Sequence, residues 1–328
     1  MLENRTIMLN DSSYRAENGE KVWTLAIDEA IDMAFNREVH AERVDKSNLF
    51  DTDNSGCLLL NGRKVNECAL PSILEAYKMG GKAFKDEKTT DEKLSQVFGA
   101  MEHMLKNDAQ IIISDGQVIG IRSERYKLVP LQEILDEIIP SISAYYKEVV
   151  RSEVEMSYAE TFIKFFTEKE FNFNGMNRPL TITLKNSENG EASIGIGAYV
   201  GRNVPIMHSM HITHTKNKAT IDELRERINN LENVISQAFE KVAELETYPI
   251  NKPDMAIDEL MSKYKYGQKY CDKIKVSVAT CPHALTAADI YEAFVEEMLC
   301  DTSCSRETLE GYQNDLLKMI GFDWSKFI

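Results

Sequence analysis

Seven apolar residues set the strongest constraint on this chain: Leu224, Ile228, Leu231, Ile235, Ala238, Val242 and Leu245 recur at alternating spacings of four and three. A 3.5-residue period held this long predicts one seamed helix from Thr220 to Glu246, roughly 40 Å long at about 1.5 Å per residue. Thr220 with Glu223 has the spacing of a capping box, in which each side chain satisfies a free backbone N–H at the helix start. So narrow a stripe needs a partner. An antiparallel partner inside the subunit is one option. The other is self-association, with Leu224, Ile228, Leu231, Ile235, Val242 and Leu245 forming the contact of a homo-oligomer.

Strands precede the seam. Leu180 to Leu184 alternates apolar and polar residues, Lys185 to Gly190 is rich in turn formers and ends in Asn-Gly, and Ala192 to Val200 returns as a second strand. Gly195 and Gly197 share one face of that strand, which predicts a close backbone approach or a bend there. A second hairpin is expected around Asp115-Gly116, between Gln110–Ser114 and Val118–Ile121. Leu58 to Leu60 reads as a strand entering a turn at Asn61-Gly62. Helices are expected over Trp23–Arg37, Ser72–Met79, Leu94–Lys106 and Leu131–Ile139, the last stopped by Pro140. Pro249 and Pro253 bracket a linker, with mostly helical sequence after Asp254. The expected class is α+β: antiparallel hairpins packed with helices, one long heptad-seamed helix and a helical C-terminal region. The expected division is a core over 1–250 and a helical part over 251–328.

A chain of 328 residues with 43% hydrophobic and 28% charged side chains reads as globular. No apolar run reaches membrane-spanning length, and the start Met1-Leu2-Glu3-Asn4-Arg5 has no basic-then-apolar signal. Six cysteines without a CxxC fit reduced thiols in a cytoplasm. The net charge of −15 is uneven: −10 over residues 1–170, +1 over 171–280 and −6 over 281–328. In the middle third, Arg202, Lys216 and Lys218 stand in a stretch with no carboxylate. Further on, Lys263, Tyr264, Lys265, Tyr266 and Lys269 interleave cations with rings. A single-strand nucleic-acid groove uses that combination, cations for phosphates and rings for base stacking, and a solvated helix face with half-buried tyrosines has it too.

Three constellations could carry chemistry. His208, His211 and His214 are weak candidates for a metal, because neither a helix nor a strand brings imidazoles at this spacing to one point. Asp51 to Gly56 matches the first half of a calcium loop, but Gly62 stands where the bidentate glutamate belongs, so it reads as a polar turn. Cys281, His283, Cys300 and Cys304 fit no standard zinc spacing. The chain has no Walker loop, GxGxxG, GxSxG or HExxH, and no cofactor is expected.

Asp115 to Pro130, with Arg125-Tyr126 ahead of the Leu131 helix, resembles a signature of the phage/plasmid-like family catalogued as domain of unknown function 932. Ile182 to Arg202, with Asn186-Ser187-Glu188-Asn189-Gly190 between strands, resembles a second signature, and the likeness runs over roughly residues 20 to 250. Many members follow the arginine with Cys and Asn-Gly, whereas Asn203-Val204-Pro205 stands here. The resemblance implies a mobile element, a bacterial host cytoplasm and a link to DNA metabolism. In outline, the hairpin and long helix are also similar to phage single-strand-annealing proteins, which oligomerise and pair strands without nucleotide hydrolysis. The leading expectation is therefore a non-enzymatic, oligomeric protein that binds single-stranded nucleic acid. Arg202, Lys216, Lys218, Lys263, Tyr264, Lys265, Tyr266 and Lys269 would line the strand path. The alternative is an anti-defence protein whose acidic surface inhibits a host nuclease complex.

Overall fold

A computed structural model describes residues 23–25, 38–44, 50–52, 58–69, 72–73, 76, 109–146, 149–156, 160–190, 192–201, 203–214, 220–301, 304 and 306–328. Short strands come first: β1 (Trp23–Leu25), β2 (Val39–Arg43), β3 (Phe50–Thr52), β4 (Leu58–Leu60) and β5 (Arg63–Lys64). Then come the hairpin β6 (Ala109–Ser114) and β7 (Gln117–Ser123) and the long meander β8 (Val149–Met156), β9 (Thr161–Phe173), β10 (Met176–Asn186), β11 (Ile194–Val200) and β12 (Val204–Ile212). Their antiparallel pairing gives a six-stranded sheet in the order β1-β8-β9-β10-β11-β12, and two three-stranded sheets, β2-β6-β7 and β3-β4-β5.

Among the described residues the fully described α-helices are α1 (Leu131–Tyr146), α2 (Thr220–Asn229), α3 (Leu231–Ala243), α4 (Pro253–Tyr264), α5 (Gln268–Ala279), α6 (Ala287–Leu299) and α7 (Arg306–Ile320). With the sheets they make an α+β fold whose C-terminal region is helical. None of these helices is long and apolar enough to cross a membrane.

The main core is continuous from Val129 to Phe327. Leu180, Ile182, Leu184, Ile194, Ile196, Ala198 and Val200 belong to it, as the alternation in β10 and β11 requires. So does α6, where every residue from Ala287 to Val295 is buried. The Tyr291 hydroxyl, fully buried, donates to the Pro205 carbonyl at 3.0 Å and ties α6 to β12. The helical part over 251–328 therefore shares its core with the large sheet. The expected linker between Pro249 and Pro253 is fastened, with Ile250 N–H donating to Leu285 O at 2.8 Å and Asn251 N–H to Phe327 O at 2.9 Å. The small sheet carries its own clusters, Leu60, Ile73, Ile111, Ile113, Val118 and Ile121 on one side and Ile112, Ile119 and Tyr126 on the other.

Several expectations need correction. The seam is two helices, broken at Asn230 (φ −99°, ψ 0°). Leu224, Ile228, Leu231, Ile235, Val242 and Leu245 are each no more than 2% exposed, packed into the subunit's own core. The stripe is thus covered from within, which removes it as the subunit contact. The capping box does not form: Thr220 is itself helical, and its hydroxyl is buried without a hydrogen-bond partner. Trp23–Leu25 forms a strand against Ser152–Val154, because edge pairing favours an aromatic and a β-branched residue over their helical spacing. The remainder of the helix expected over Trp23–Arg37 lies outside the described residues, as does the helix expected over Leu94–Lys106. Of Ser72–Met79, the described Ser72, Ile73 and Ala76 are helical.

Pro140 does not stop α1. It sits on the exposed side with Asp136, whose carbonyl loses the proline's missing N–H, while Ile134, Leu135, Ile138 and Ile142 continue the buried stripe past it. Packing thus outweighs the lost bond. In β11 the bend is present, and the close approach at Gly197 is made by side chains, not by another backbone. The register shifts between Ile196 and Ala198, and a Cβ on Gly197 would lie 2.7 Å from Thr183 Oγ1.

Candidate functional site

The lysine–tyrosine run forms the α4–α5 corner. Lys263 and Tyr264 end α4, Lys265 takes the left-handed cap at φ 58°, and Lys269 lies in the first turn of α5. The rings are already engaged. Tyr264 stacks on Tyr266 with centroids 6.0 Å apart, and Tyr312 of α7 meets Tyr266 and Tyr270 edge-on at 5.5 and 6.0 Å. Tyr266 donates to Asp315 at 3.0 Å and Tyr270 to Asp301 at 2.6 Å. Burial, reinforced by the Asp315 carboxylate, pushes the Tyr266 phenol far above its usual range.

The cations are mostly engaged as well. Lys269 pairs with Asp301 at 3.0 Å, Lys273 with Glu297 at 3.1 Å and Lys275 with Asp258 at 2.6 Å. Lys263 lies over the Tyr264 and Phe322 rings at 5.5 and 5.1 Å. Lys263 and Lys265 are exposed, without a carboxylate partner among the described residues. Arg202, Lys216 and Lys218 lie outside the described residues. The structure thus gathers Lys263 to Lys269 but spends the tyrosine rings on packing between helices.

The three histidines are held apart. His208 Nδ1 meets Asn314 Oδ1 at 3.3 Å, His211 Nδ1 meets Ser193 Oγ at 3.0 Å, and His214 Nδ1 donates to the Lys127 carbonyl at 3.2 Å. His208 and His211 are exposed and His214 is buried. Among the described residues no three His, Cys, Asp or Glu side chains gather as a metal site.

A buried polar joint lies where the small sheet meets the large one. The turn after β10 is Ser187-Glu188-Asn189-Gly190, and with Asn186 its four polar residues are 0–4% exposed. Arg122 Nε, from β7, donates to the Asn189 carbonyl at 2.6 Å. The Tyr126 hydroxyl donates to the Glu188 carbonyl at 2.9 Å. Glu188 Oε1 accepts the Leu131 N–H at 2.9 Å, placing a carboxylate at the N-terminus of α1, where the helix dipole favours it. His214 stacks on Tyr126 with ring centroids 5.2 Å apart. The Asn186 amide, 1% exposed, has no hydrogen-bond partner on either atom, and neither has His214 Nε2. The β7–α1 connection and the turn after β10 thus meet in one joint. Sequence reasoning passed over Arg122, Tyr126 and Glu188 as contacts. Asn186 to Gly190 reads as a hairpin turn, and the docking of a second sheet buries its polar side chains.

Because Nδ1 carries the proton that Lys127 O accepts, neutral His214 leaves Nε2 as a bare lone pair. Burial, aided by the Arg122 cation, holds its pKa below the usual imidazole value, against the raising effect of the Lys127 carbonyl. Of the groups around it, Arg122 opposes a second positive charge, and buried Tyr126 stays neutral. The unfolded chain therefore takes up this proton first. Stability is unaffected by the group above pH about 6.5 and falls as pH drops through that value towards the folded pKa. Denaturant unfolding between pH 7.5 and 5 is expected to show a steeper loss in the wild type than in His214→Phe. Equal slopes would remove His214 from the acid sensitivity.

A second network pins the β9–β10 turn to α6. Asn174, at φ 52°, donates through its amide to Asp289 Oδ1 at 3.0 Å and Glu292 Oε2 at 2.8 Å, and its N–H reaches Glu246 at 2.8 Å. Asp289 also accepts from Thr286 N–H at 2.7 Å and contacts His283 Nε2 at 3.0 Å, completing the capping box of α6. Burial alone would raise the Asp289 pKa, yet these hydrogen bonds hold it below the usual carboxylate value. Arg178 pairs with Glu292 in the same network.

The chain matches no family model, no curated protein and no solved structure.

Proposed function

We propose that this protein is a binding protein that presents an acidic surface to a partner whose own surface is built for nucleic acid. One observation carries the reading. Lys269, Lys273 and Lys275 of α5 are each paired with a carboxylate, leaving Lys263 and Lys265 as the corner's exposed lysines, while the α2–α3 face keeps its acids in excess. From Thr220 to Thr247 there are seven acidic and three basic side chains. Dense carboxylates repel DNA and attract a cationic cleft. The likeness of 115–130 and 182–202 to the phage/plasmid-like family supports a mobile-element setting, with a host nuclease complex as the partner class and the bacterial cytoplasm as the place.

Single-stranded nucleic-acid binding is the second reading, supported by exposed Lys263 and Lys265 at one corner. Fluorescence anisotropy of a labelled single-stranded oligonucleotide over a salt series separates the two. Flat anisotropy at low salt is expected, together with release of the oligonucleotide from a bacterial nuclease on adding the protein. Binding that weakens linearly in log–log with salt, and is abolished by Lys263→Glu with Lys265→Glu, would replace the first reading by the second.

A further inference from the structure

The junction of α2 and α3 lies beside a groove with an acidic rim. Asn230 stays in the right-handed helical region but shifts the bonding, its N–H reaching Arg227 O at 3.2 Å while its carbonyl accepts Val234 N–H at 3.1 Å. Between this corner and β12 lies an open groove of about 760 Å³. Met210 and Val234, both only partly buried, supply apolar surface to it. Asp222, Glu223 and Glu226 line it with Arg227 as the one cation, and Arg227 is held by Glu223 at 3.0 Å. Asp222 is shared with Arg225 at 3.2 Å, which Glu137 also binds. Glu226 is exposed, with no cationic partner among the described residues.

A groove that joins apolar surface to an anionic rim recognises a segment with the same two properties in complement. We infer that it docks a cationic, amphipathic segment of a partner protein. An apolar side chain would cover Met210 and Val234, and lysine or arginine side chains would meet Glu226 and Asp222. The inference rests on the acidic-surface reading and names its point of contact. Charge complementarity selects the occupant. Nucleic acid is repelled where Asp222, Glu223 and Glu226 outnumber Arg225 and Arg227, and a purely apolar helix would leave Glu226 desolvated and unpaired.

The probe is a fluorescein-labelled peptide of alternating lysine and leucine, with an alternating glutamate–leucine peptide as control. Both are titrated against the full chain by anisotropy at low and physiological salt. Three proteins are compared: wild type, Asp222→Lys with Glu226→Lys, and Asp254→Lys with Glu296→Lys. All four positions are exposed, and circular dichroism checks each fold. The lysine peptide is expected to bind wild type and the Asp254/Glu296 variant alike, and the groove variant at least tenfold more weakly. The control peptide is expected not to bind. Equal weakening by both double variants would show diffuse attraction and overturn the groove while sparing the acidic-surface reading. No binding of the lysine peptide to wild type would also overturn the groove. The acidic-surface reading itself stands or falls on oligonucleotide release from the nuclease, which needs no peptide.

Discussion

Replacing Arg178 with methionine is expected to destabilise the folded chain by about 3–5 kcal/mol, the usual cost of stranding a buried charge. Arg178 leaves β10 beside the Phe173 ring, 5.9 Å from its centroid, and its guanidinium pairs with Glu292 of α6. The two side chains are 18% and 11% exposed, so water screens the pair poorly. Without the cation, the Asn174 amide remains as a neutral donor to Glu292, too little for a carboxylate in that setting. Such a loss is a large share of the roughly 5–15 kcal/mol that holds a typical domain. The double variant Arg178→Met with Glu292→Met is expected to recover most of it, because an apolar pair of similar volume has no desolvation penalty to offset. Urea unfolding of the two single variants and the double variant gives the coupling directly. A loss below about 1 kcal/mol for Arg178→Met would mean that water reaches the pair.

The contrast with the α4–α5 lysines shows what the sequence could and could not say. Their composition was legible, but the carboxylates that neutralise them were not. Asp301 lies 32 residues from Lys269, and Asp315 lies 49 residues from Tyr266. Local charge counting cannot see such partners. The seam had the same limit. Its period required that Leu224 to Leu245 be covered, but not by what, and the cover proved to be the subunit's own core.

Turns were the most legible part, because their demand is local. Asp115-Gly116 and Asn61-Gly62 each need two consecutive positive φ values, at 49° and 78° and at 50° and 74°, which few residue pairs tolerate. Pro140 misled because its penalty is local while the packing that outweighs it is not. The buried joint was least legible of all. Nothing in Asn186 to Asn189 distinguishes a polar turn in water from one under a second sheet, since both need the same turn chemistry. The distinction lies in Arg122 and Tyr126, more than sixty residues away.

That joint gives the second large effect. Gly190→Ala is expected to cost about 3 kcal/mol or more and to release the small sheet before the main core. Two terms add. Gly190 has φ +76°, where a side chain costs about 1–2 kcal/mol. Its Cβ would also stand 2.6 Å from Tyr126 Cε2 and 2.8 Å from Arg122 Nε, so ring and guanidinium must both move. Moving them strains the hydrogen bonds to the Glu188 and Asn189 carbonyls, and a buried polar group left without its partner costs about 1–3 kcal/mol. Gly116→Ala is the control. It has the same backbone strain at φ +78°, but nothing lies within 4 Å of its Cβ, so a loss of only about 1–2 kcal/mol is expected. Hydrogen exchange distinguishes a joint from a mere tight turn. Amides of 109–126 should lose protection in Gly190→Ala while those of β10 and β11 keep theirs, since the main core from Val129 to Phe327 does not depend on the small sheet. If Gly190→Ala and Gly116→Ala cost the same, or if protection falls equally across both sheets, the two sheets are not fastened through this turn.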